Sequence, residues 1–409
     1  MGLRDRSSSY MKELIAALDQ SDQSHALVLL PEELDKQIQR VKAAFPTSSL
    51  HSVAVKTNPL LHSLKYCVEK GMALECASAG EVELAIAAGA ESTGILWDSP
   101  AKTVQEIKRF QQTTNMWIQV DSLEELELHA QQRNPKAKYA LRITPPNLSE
   151  RNDELNVSGK SSKFGIQLSD ASAIVSAFKK YPFVKGIHIH GSSMEFDTST
   201  KVNQLREVLV HLHREASDFT AGINFINIGG GLGYDYSGNQ TVDLKSYADG
   251  VLQVLREYKF TDTTLLTEFG RFYHAPYSDS VSRIEYVKGE NLILHFGADA
   301  FLREAYSSNP ISFGVTVFNP EGKRKSGETE TYKLCGPLCF GGDVIQKNVP
   351  LPKVERGDYL VIHETGANTF SLWSRHCSRR FPSVYQWDDK NLTLVKESEN
   401  YDDIVKFWS

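Results

Sequence analysis

Short buried strands and helices alternate along residues 31–276 of this chain, and no other feature of the sequence restricts the fold as strongly. About eight such units occur, and units of this kind build a parallel sheet that eight strands close into a barrel. The pattern therefore predicts an α/β fold with a (β/α)8 barrel of the TIM type. The predicted barrel strands are 53–55, 73–76, 94–97, 116–120, 139–143, 184–190, 225–228 and 265–268.

The pattern changes after about residue 276, where strands follow one another without long helices between them. This spacing predicts a C-terminal antiparallel β domain. Residues 1–30, which contain a predicted strand at 25–30, are expected to contribute to it. The sequence thus predicts a barrel over 31–276 and a β domain built from 1–30 and 277–409. The strands expected after the barrel are 280–288, 292–296, 311–317, 331–334, 359–363 and 392–395.

Charge and cysteine usage exclude several classes of protein. The formal net charge is −6, which argues against a nucleic-acid or anionic-membrane partner. No apolar run approaches the length of a membrane span. The five cysteines show no metal-site spacing, and we expect a cytoplasmic protein with free thiols.

Lys56 stands at the end of a predicted buried strand, just before the breaker Asn58-Pro59. An apolar or cationic environment at that position would depress the pKa of its amine and make it a nucleophile, as a Schiff-base lysine requires. The alternative is an ordinary lysine that follows a strand.

Two further motifs follow predicted strands. In Asn227-Ile-Gly-Gly-Gly-Leu-Gly, the backbone amides of Gly229, Gly230 and Gly231 can approach an anion such as a phosphate. In Thr267-Glu-Phe-Gly-Arg, Arg271 can bind the same phosphate, and Glu268 can keep a pyridine nitrogen protonated. The alternatives are a flexible turn for the first motif and a structural ion pair for the second.

His188 and His190 point to the same side of a predicted strand in Gly186-Ile-His-Ile-His-Gly-Ser-Ser193. They lack a convincing third ligand, so we predict no metal site. One histidine stacked on a cofactor ring, with a serine hydroxyl on its phosphate, fits better. Together with Lys56 and the two motifs above, this arrangement describes a site for pyridoxal 5′-phosphate (PLP).

Seven stretches of the chain resemble the fold-type III PLP-dependent decarboxylases, the family of diaminopimelate, ornithine and arginine decarboxylases. They are VAVKTNP, LECASAGEVELAIAAG, SKFGI, HIHGSS, NIGGGLG, TEFGR and CGPLCFGGD, within about residues 25–385. The resemblance implies a barrel with a β domain, an amino-acid substrate, and a homodimer with shared active sites.

The resemblance also implies roles for individual residues. Lys56 would carry PLP as a Schiff base, His190 would stack on its ring, and Glu268 would pair with the pyridine nitrogen. Cys339 would donate a proton to the product from the other subunit. The phosphate would be held by Ser193, Gly229, Gly230, Gly231 and Arg271. Because a carboxylate on the pyridine nitrogen strengthens the electron sink, we prefer a decarboxylase to a racemase, in which an arginine takes that place.

The sequence departs from the family pattern where the substrate's distal end is expected. Phe340 replaces an acid that follows the cysteine, and Asn368 replaces a tyrosine that contacts phosphate and substrate. Positive charge is gained instead, which suggests a substrate with an anionic distal group. The candidate substrate-binding residues are Arg303, Phe340, Arg375 and His376, with Arg379 and Arg380 nearby.

Three functions remain open from the sequence. The first is decarboxylation of a siderophore precursor such as citryl-diaminopropionate, and the second is decarboxylation of meso-diaminopimelate in lysine synthesis. The third is a non-catalytic homologue that acts as a binding protein. The arginine cluster can face the substrate, the solvent or a dimer contact.

Overall fold

A computed structural model describes residues 7–113, 115–149, 155–217, 219 and 222–409. The chain divides into two compact units. The barrel unit comprises 38–234 and 241–272, and the sheet unit comprises 1–37, 235–240 and 273–409. The domain limits expected from the sequence, at residues 31 and 276, stay a prediction.

Two elements precede the barrel, namely α1 (Ser7–Gln20) and β1 (His25–Leu29). Helix α1 is amphipathic, and its buried residues recur every three or four positions. They pack against β1 and other apolar side chains of the sheet unit. All five residues of β1 are buried, which marks it as an interior strand.

Strands and helices then alternate, as the sequence pattern predicts. In chain order the elements are α2 (Pro31–Ala44), β2 (Leu50–Ala54), α3 (Leu61–Glu69), β3 (Ala73–Cys76), α4 (Ala79–Ala87), β4 (Ile95–Asp98), α5 (Val104–Arg109), β5 (Trp117–Val120), α6 (Leu123–Gln131), β6 (Lys138–Thr144), β7 (Ile166–Gln167), α7 (Ala171–Lys180), β8 (Val184–Ile189), α8 (Thr198–Glu215), β9 (Phe225–Asn227), α9 (Leu244–Glu257) and β10 (Thr264–Phe269).

Eight parallel strands close into a barrel in the order β2-β3-β4-β5-β6-β8-β9-β10, and β10 pairs with β2. The short strand β7 adds to the edge of β6. Because all barrel strands run in the same direction, their carboxyl ends meet at one rim, where barrels of this type carry their chemistry. The predicted (β/α)8 barrel with a C-terminal sheet domain is confirmed.

The remaining elements belong to the sheet unit, apart from the first residues of α10. They are α10 (Arg271–His274), β11 (Ser278–Arg283), β12 (Tyr286–Lys288), β13 (Asn291–Ile293), α11 (Leu302–Tyr306), β14 (Val315–Phe318), β15 (Thr329–Cys335), β16 (Val344–Pro352), β17 (Tyr359–Ile362), β18 (Ser383–Trp387), β19 (Leu392–Lys396) and α12 (Tyr401–Trp408).

These strands form two sheets, ordered β14-β17-β11-β1-β18-β19 and β12-β13-β15-β16. Most neighbours are antiparallel, but β1 pairs with β18, and β13 with β15, in parallel. The sequence pattern did not predict β16 or β18. It also joined β11 and β12 into one strand, although Ile284 and Glu285 separate them.

Candidate active site

Lys56 lies in a short 3-10 turn, Val55–Thr57, directly after β2. Its Nζ donates hydrogen bonds to both carboxylate oxygens of Glu75, at 2.8 Å and 2.6 Å. Ala54 and Glu75 are register partners on the neighbouring strands β2 and β3, so the sheet itself places this acid beside the lysine. The lysine side chain is 51% exposed, whereas that of Glu75 is 1% exposed.

The environment of Lys56 is anionic and differs from the apolar or cationic environment that would depress the pKa of the amine. Desolvation favours the neutral amine, but the Glu75 carboxylate outweighs it and raises the pKa of Lys56 above its ordinary value. Burial in turn raises the pKa of Glu75 to about 7. The residues next to Lys56 in the chain do not reveal this acid, because it lies on the neighbouring strand.

Further charges line the barrel interior near this pair. Arg142 on β6 donates from Nη1 to both carboxylate oxygens of Asp98, at 3.1 Å and 2.9 Å. Burial opposes ionisation of Asp98, but Arg142 outweighs it and holds the pKa of that carboxyl well below its usual range. The interior therefore holds a fixed ion pair beside the lysine.

Asp98, His188 and Glu268 are the one group of three potential metal ligands among the described residues. The His188 Nε2 lies 3.2 Å from a Glu268 oxygen. Because Asp98 already accepts two hydrogen bonds from the Arg142 guanidinium, its charge is compensated without a metal ion. The absence of a metal site therefore stays a prediction.

Glu268, on β10, is held in place by β9. The side-chain Nδ2 of Asn227 donates to Glu268 Oε1 at 2.6 Å, and its Oδ1 accepts from the backbone amide of Gly229 at 2.9 Å. One side chain thus fixes both the acid and the start of the glycine loop. A buried carboxylate oriented in this way can accept a hydrogen bond from a protonated ring nitrogen.

The glycine loop follows β9 and passes very close to neighbouring backbone. A Cβ at Gly230 would lie 2.2 Å from the Glu268 carbonyl oxygen, and a Cβ at Gly231 would lie 1.9 Å from the Ser192 carbonyl oxygen. Gly231 also has a φ of +91°. Larger residues are therefore sterically excluded here, which is typical of a backbone cradle for an anion.

His190 lies beside this loop and is neutral. Its Nδ1 accepts a hydrogen bond from the Gly230 amide at 3.0 Å, so the ring proton is assigned to Nε2. Burial, with the nearby cations of Lys201 and Arg142, lowers the pKa of His190 well below its ordinary value. A neutral imidazole of fixed orientation can stack on a flat ring.

Ser193 and Arg271 belong to the same unit as the cradle. The Ser193 amide donates to the Leu155 carbonyl at 2.9 Å, which fixes the loop after β8. Arg271 begins α10 directly after Gly270, where a Cβ would lie 2.4 Å from Thr57. The barrel unit therefore contains every predicted cofactor residue except Asn368.

The sheet unit carries Cys339 and its neighbours. Cys339 is exposed, and the ring of the next residue, Phe340, stacks on that of Tyr306 with centroids 5.7 Å apart. The His376 ring lies edge-on to Phe340 at 6.1 Å.

The predicted arginine cluster is engaged by the C-terminal segment of the same chain. Arg375 donates from both terminal nitrogens to Glu399, each at 2.6 Å. Arg375 also lies over the Phe407 ring and Arg380 over the Tyr401 ring, at 4.4 Å and 4.8 Å. Glu399 therefore neutralises Arg375 within the chain, and the assignment of Arg375 to the substrate stays a prediction.

Two other predicted residues also lie in the sheet unit. Arg303 is exposed on α11. Asn368 adopts a φ of +56°, a conformation that asparagine tolerates better than most residues. Their assignments to substrate and cofactor stay predictions.

The sequence analysis assigned no role to five polar residues that surround the site, although Glu75 and Asn227 lie within stretches that carry the family resemblance. Each belongs to a strand or helix of ordinary appearance, and only the closed barrel brings them together. They are Glu75, Asp98, Arg142, Lys201 and Asn227.

No helix in the described part of the chain is long and apolar enough to span a membrane. A cytoplasmic location stays a prediction.

Comparison with known proteins gives two family matches. Residues 32–275 match the pyridoxal binding domain of pyridoxal-dependent decarboxylases, and residues 280–366 match the C-terminal sheet domain of the same enzymes. The chain is similar to diaminopimelate decarboxylase of Helicobacter pylori J99, with 27% identity over 91% of this chain and 92% of that protein.

Two further similarities bear on the function. A crystal structure of a diaminopimelate decarboxylase variant from Helicobacter pylori, complexed with L-lysine, superposes with a TM-score of 0.85 and 25% identity over 96% of this chain and 98% of that chain. The L-glutamyl-[BtrI acyl-carrier protein] decarboxylase of Niallia circulans is 28% identical over 86% of each chain.

Proposed function

The chain belongs to the pyridoxal-dependent decarboxylases, and from this premise we propose that it decarboxylates meso-diaminopimelate. It is a PLP-dependent amino-acid decarboxylase. The observation that carries the substrate assignment is the similarity to diaminopimelate decarboxylase over about nine-tenths of both chains. This similarity favours the lysine-synthesis alternative over the siderophore precursor that the sequence departures suggested.

The residues of the barrel unit fit PLP. A backbone cradle that excludes any Cβ suits its phosphate, and a buried acid fixed by Asn227 suits its pyridine nitrogen. A neutral His190 suits the face of its ring. We assign the phosphate to the Gly231 amide, Ser193 and Arg271, and the ring nitrogen to Glu268. Gly229 and Gly230, whose amides donate to Asn227 and His190, shape the cradle around the phosphate.

When bound, PLP supplies an electron sink for the electron pair that remains after CO₂ leaves. Lys56 provides the amine that holds the cofactor. Glu268 would accept a hydrogen bond from the protonated ring nitrogen, and Arg142 holds Asp98 as a fixed anion. We assign to Cys339 of the partner subunit the proton delivered to the product, which makes the active enzyme a homodimer.

A second candidate keeps support from one residue. Phe340 occupies the position where the family has an acid for the distal amino group, and its ring is held by Tyr306. A conjugated substrate without a distal ammonium, such as citryl-diaminopropionate, needs no acid there. The relative that acts on an L-glutamyl group carried by a protein is a family member with a conjugated substrate.

Release of CO₂ and formation of the product amine from a panel of substrates test the proposal. The panel contains meso-diaminopimelate, lysine, ornithine, arginine and citryl-diaminopropionate, with Lys56→Ala as the inactive control. We expect lysine to form from meso-diaminopimelate, at a rate at least about a thousandfold above that of Lys56→Ala. Turnover of the citryl conjugate alone would overturn the assignment and establish the second candidate.

Turnover of none of the five substrates, by protein that has bound PLP, would refute both assignments. The matched pair Phe340→Glu and Phe340→Gln is a separate test of the contact with the distal end of the substrate. If meso-diaminopimelate is the substrate, only Phe340→Glu should lower its KM, because the added carboxylate forms an ion pair with the distal ammonium.

A further inference from the structure

Lys201 is a buried lysine that no motif in the sequence indicates. It lies in the first turn of α8 and is only 7% exposed. Its Nζ donates to the carbonyl oxygen of Ser192 at 3.0 Å and to that of Gly230 at 2.8 Å. One ammonium therefore joins the loop after β8 to the loop after β9.

These two carbonyl groups belong to the peptide units that precede Ser193 and Gly231. The chain contains no cis peptide bond among its described residues, and in a trans peptide the carbonyl and the amide point in opposite directions. By holding the two carbonyls on its own side, Lys201 turns the amides of Ser193 and Gly231 away from itself.

The two amides then have different uses. That of Ser193 donates to the Leu155 carbonyl, which anchors the loop. The amides of Gly229 and Gly230 are also engaged, by Asn227 and His190 respectively. Within the described residues the Gly231 amide has no internal acceptor, so it is the glycine amide that can donate to an anion.

The space around Lys201 is closely packed. A Cβ at Gly231 would lie 2.8 Å from its Nζ as well as 1.9 Å from the Ser192 oxygen. The Glu195 amide donates to the Gly231 carbonyl at 3.0 Å, which joins the two loops at a second point. The ammonium therefore lies directly behind the cradle, where a positive charge favours a bound anion.

We propose that Lys201 is a positioning residue for the PLP phosphate, which it serves by fixing the Gly230–Gly231 peptide and by placing a positive charge behind the cradle. This inference rests on the proposed phosphate site. It assigns to Lys201 no contact with PLP and no role at the reacting carbon.

The charge on Lys201 depends on pH. Burial lowers its pKa to about 8, and the facing carboxylate of Glu195 opposes this effect. The other titratable groups that face it are His190 and Tyr247, of which His190 has a lowered pKa and Tyr247 a pKa raised by burial. Neither of these two changes charge between pH 7 and 9, so a change in phosphate binding in that range reports on Lys201.

The test compares the affinity of the apo-protein for PLP with its affinity for pyridoxal, which lacks the phosphate. The dissociation constant of pyridoxal divided by that of PLP isolates the phosphate contribution, because both compounds use Lys56. We expect Lys201→Met to lower this ratio by about tenfold or more, as loss of a charge-assisted arrangement predicts, with little change for pyridoxal.

Lys102→Met is the matched control. Lys102 is also buried and also donates to two backbone carbonyls, those of Ser99 at 2.8 Å and Gln119 at 2.7 Å. These carbonyls lie after β4 and on β5, and neither belongs to the glycine loop. This variant should lose stability and keep the ratio. An equal loss of PLP and pyridoxal affinity in Lys201→Met would mean a general structural role and would overturn the proposal.

Ser193→Ala separates failure of this inference from failure of the phosphate site. If Ser193→Ala lowers the ratio and Lys201→Met does not, Lys201 has no positioning role. If neither variant lowers it, the phosphate assignment itself is wrong. Should Lys201→Met not fold, Lys201→Gln takes its place, because its amide can still donate to one of the two carbonyls but carries no charge; we expect it to lower the ratio too, and an unchanged ratio would refute the proposal.

Discussion

Charges inside the barrel determine how Lys56 behaves before PLP binds. Glu75 and Lys56 share a short bidentate contact, and the carboxylate keeps the amine protonated. Only a neutral amine is a nucleophile, so the Lys56 ammonium would have to give up a proton before it could hold the cofactor. Glu75, whose pKa is about 7, is a group that can accept such a proton.

Glu75→Gln should therefore accelerate cofactor capture. The Glu75 carboxylate raises the pKa of Lys56, so its removal lowers that pKa and increases the neutral fraction at a given pH. We expect capture at neutral pH to be at least about tenfold faster, with its pH midpoint moved to lower pH. Stopped-flow absorbance of PLP mixed with apo-protein over a series of pH values measures both quantities.

Glu81→Gln is the control for this effect. Glu81 lies on the adjacent helix and accepts a hydrogen bond from the Ala77 amide at 2.6 Å rather than from the lysine. Its removal should leave the pH midpoint of capture in place. An unchanged midpoint in Glu75→Gln would show that Glu75 does not govern the protonation of Lys56.

Residues that carry a motif were predictable from the sequence, and residues that act through the closed barrel were not. Lys56, His190, Glu268 and the three glycines each lie at or just beyond the carboxyl end of a strand, so their shared rim could be inferred from chain order. Lys201 looks like an exposed helical lysine in the sequence. Its burial depends on two loops that meet only after β8 and β9 pair.

At the scale of elements, the loop after β9 forms the backbone cradle, and the local geometry of its glycines decides which substitutions the site tolerates. Gly231 combines a left-handed φ of +91° with a Cβ position blocked by the Ser192 carbonyl at 1.9 Å. Gly238 has a similar φ of +72°, but nothing lies within 4 Å of its Cβ position. Comparing the two glycines therefore distinguishes the effect of the left-handed backbone conformation from the effect of steric exclusion.

Alanine at these two positions should have different consequences. Gly238→Ala should cost about 1–2 kcal/mol of stability from the left-handed backbone alone and keep PLP affinity. Gly231→Ala must also displace the loop after β8, so we expect PLP affinity to fall by more than about tenfold. Equilibrium dialysis with PLP and urea unfolding of both variants measure these effects. Equal PLP affinity in the two variants would contradict the cradle.

Element prediction succeeded where hydrophobic periodicity is regular and failed where pairing is non-local. The eight barrel strands alternate with helices, and each is recovered to within a few residues. Strand β16 contains Pro350 and Pro352 with Lys347 and Asn348, a composition that disfavours strands, yet it pairs along β15. Tertiary pairing outweighs local preference there.

At the scale of the whole molecule, the proposed homodimer assigns Lys56 and Cys339 of one active site to different chains. The barrel unit contains the first and the sheet unit the second. Two defective variants should then complement each other when subunits exchange. Random mixing of Lys56→Ala with Cys339→Ala leaves about a quarter of all sites with both residues intact, as two-fold symmetry requires.

We expect such a mixture to regain about a quarter of the wild-type rate of product amine formation. Lys56→Ala mixed with Glu268→Ala is the control, because both residues lie in the barrel unit and no mixed dimer has an intact barrel. Recovery in neither mixture would place Cys339 in the site of its own chain or remove it from the reaction.

The position of β1 has a consequence for synthesis of the protein on the ribosome. This strand is made first among the strands but lies between β11 and β18, with all five of its residues buried. Its partners emerge only after the entire barrel has been translated. The nascent chain must therefore keep an apolar, unpaired strand ahead of the barrel while the barrel folds, and that strand is where a chaperone or an aggregating neighbour would act.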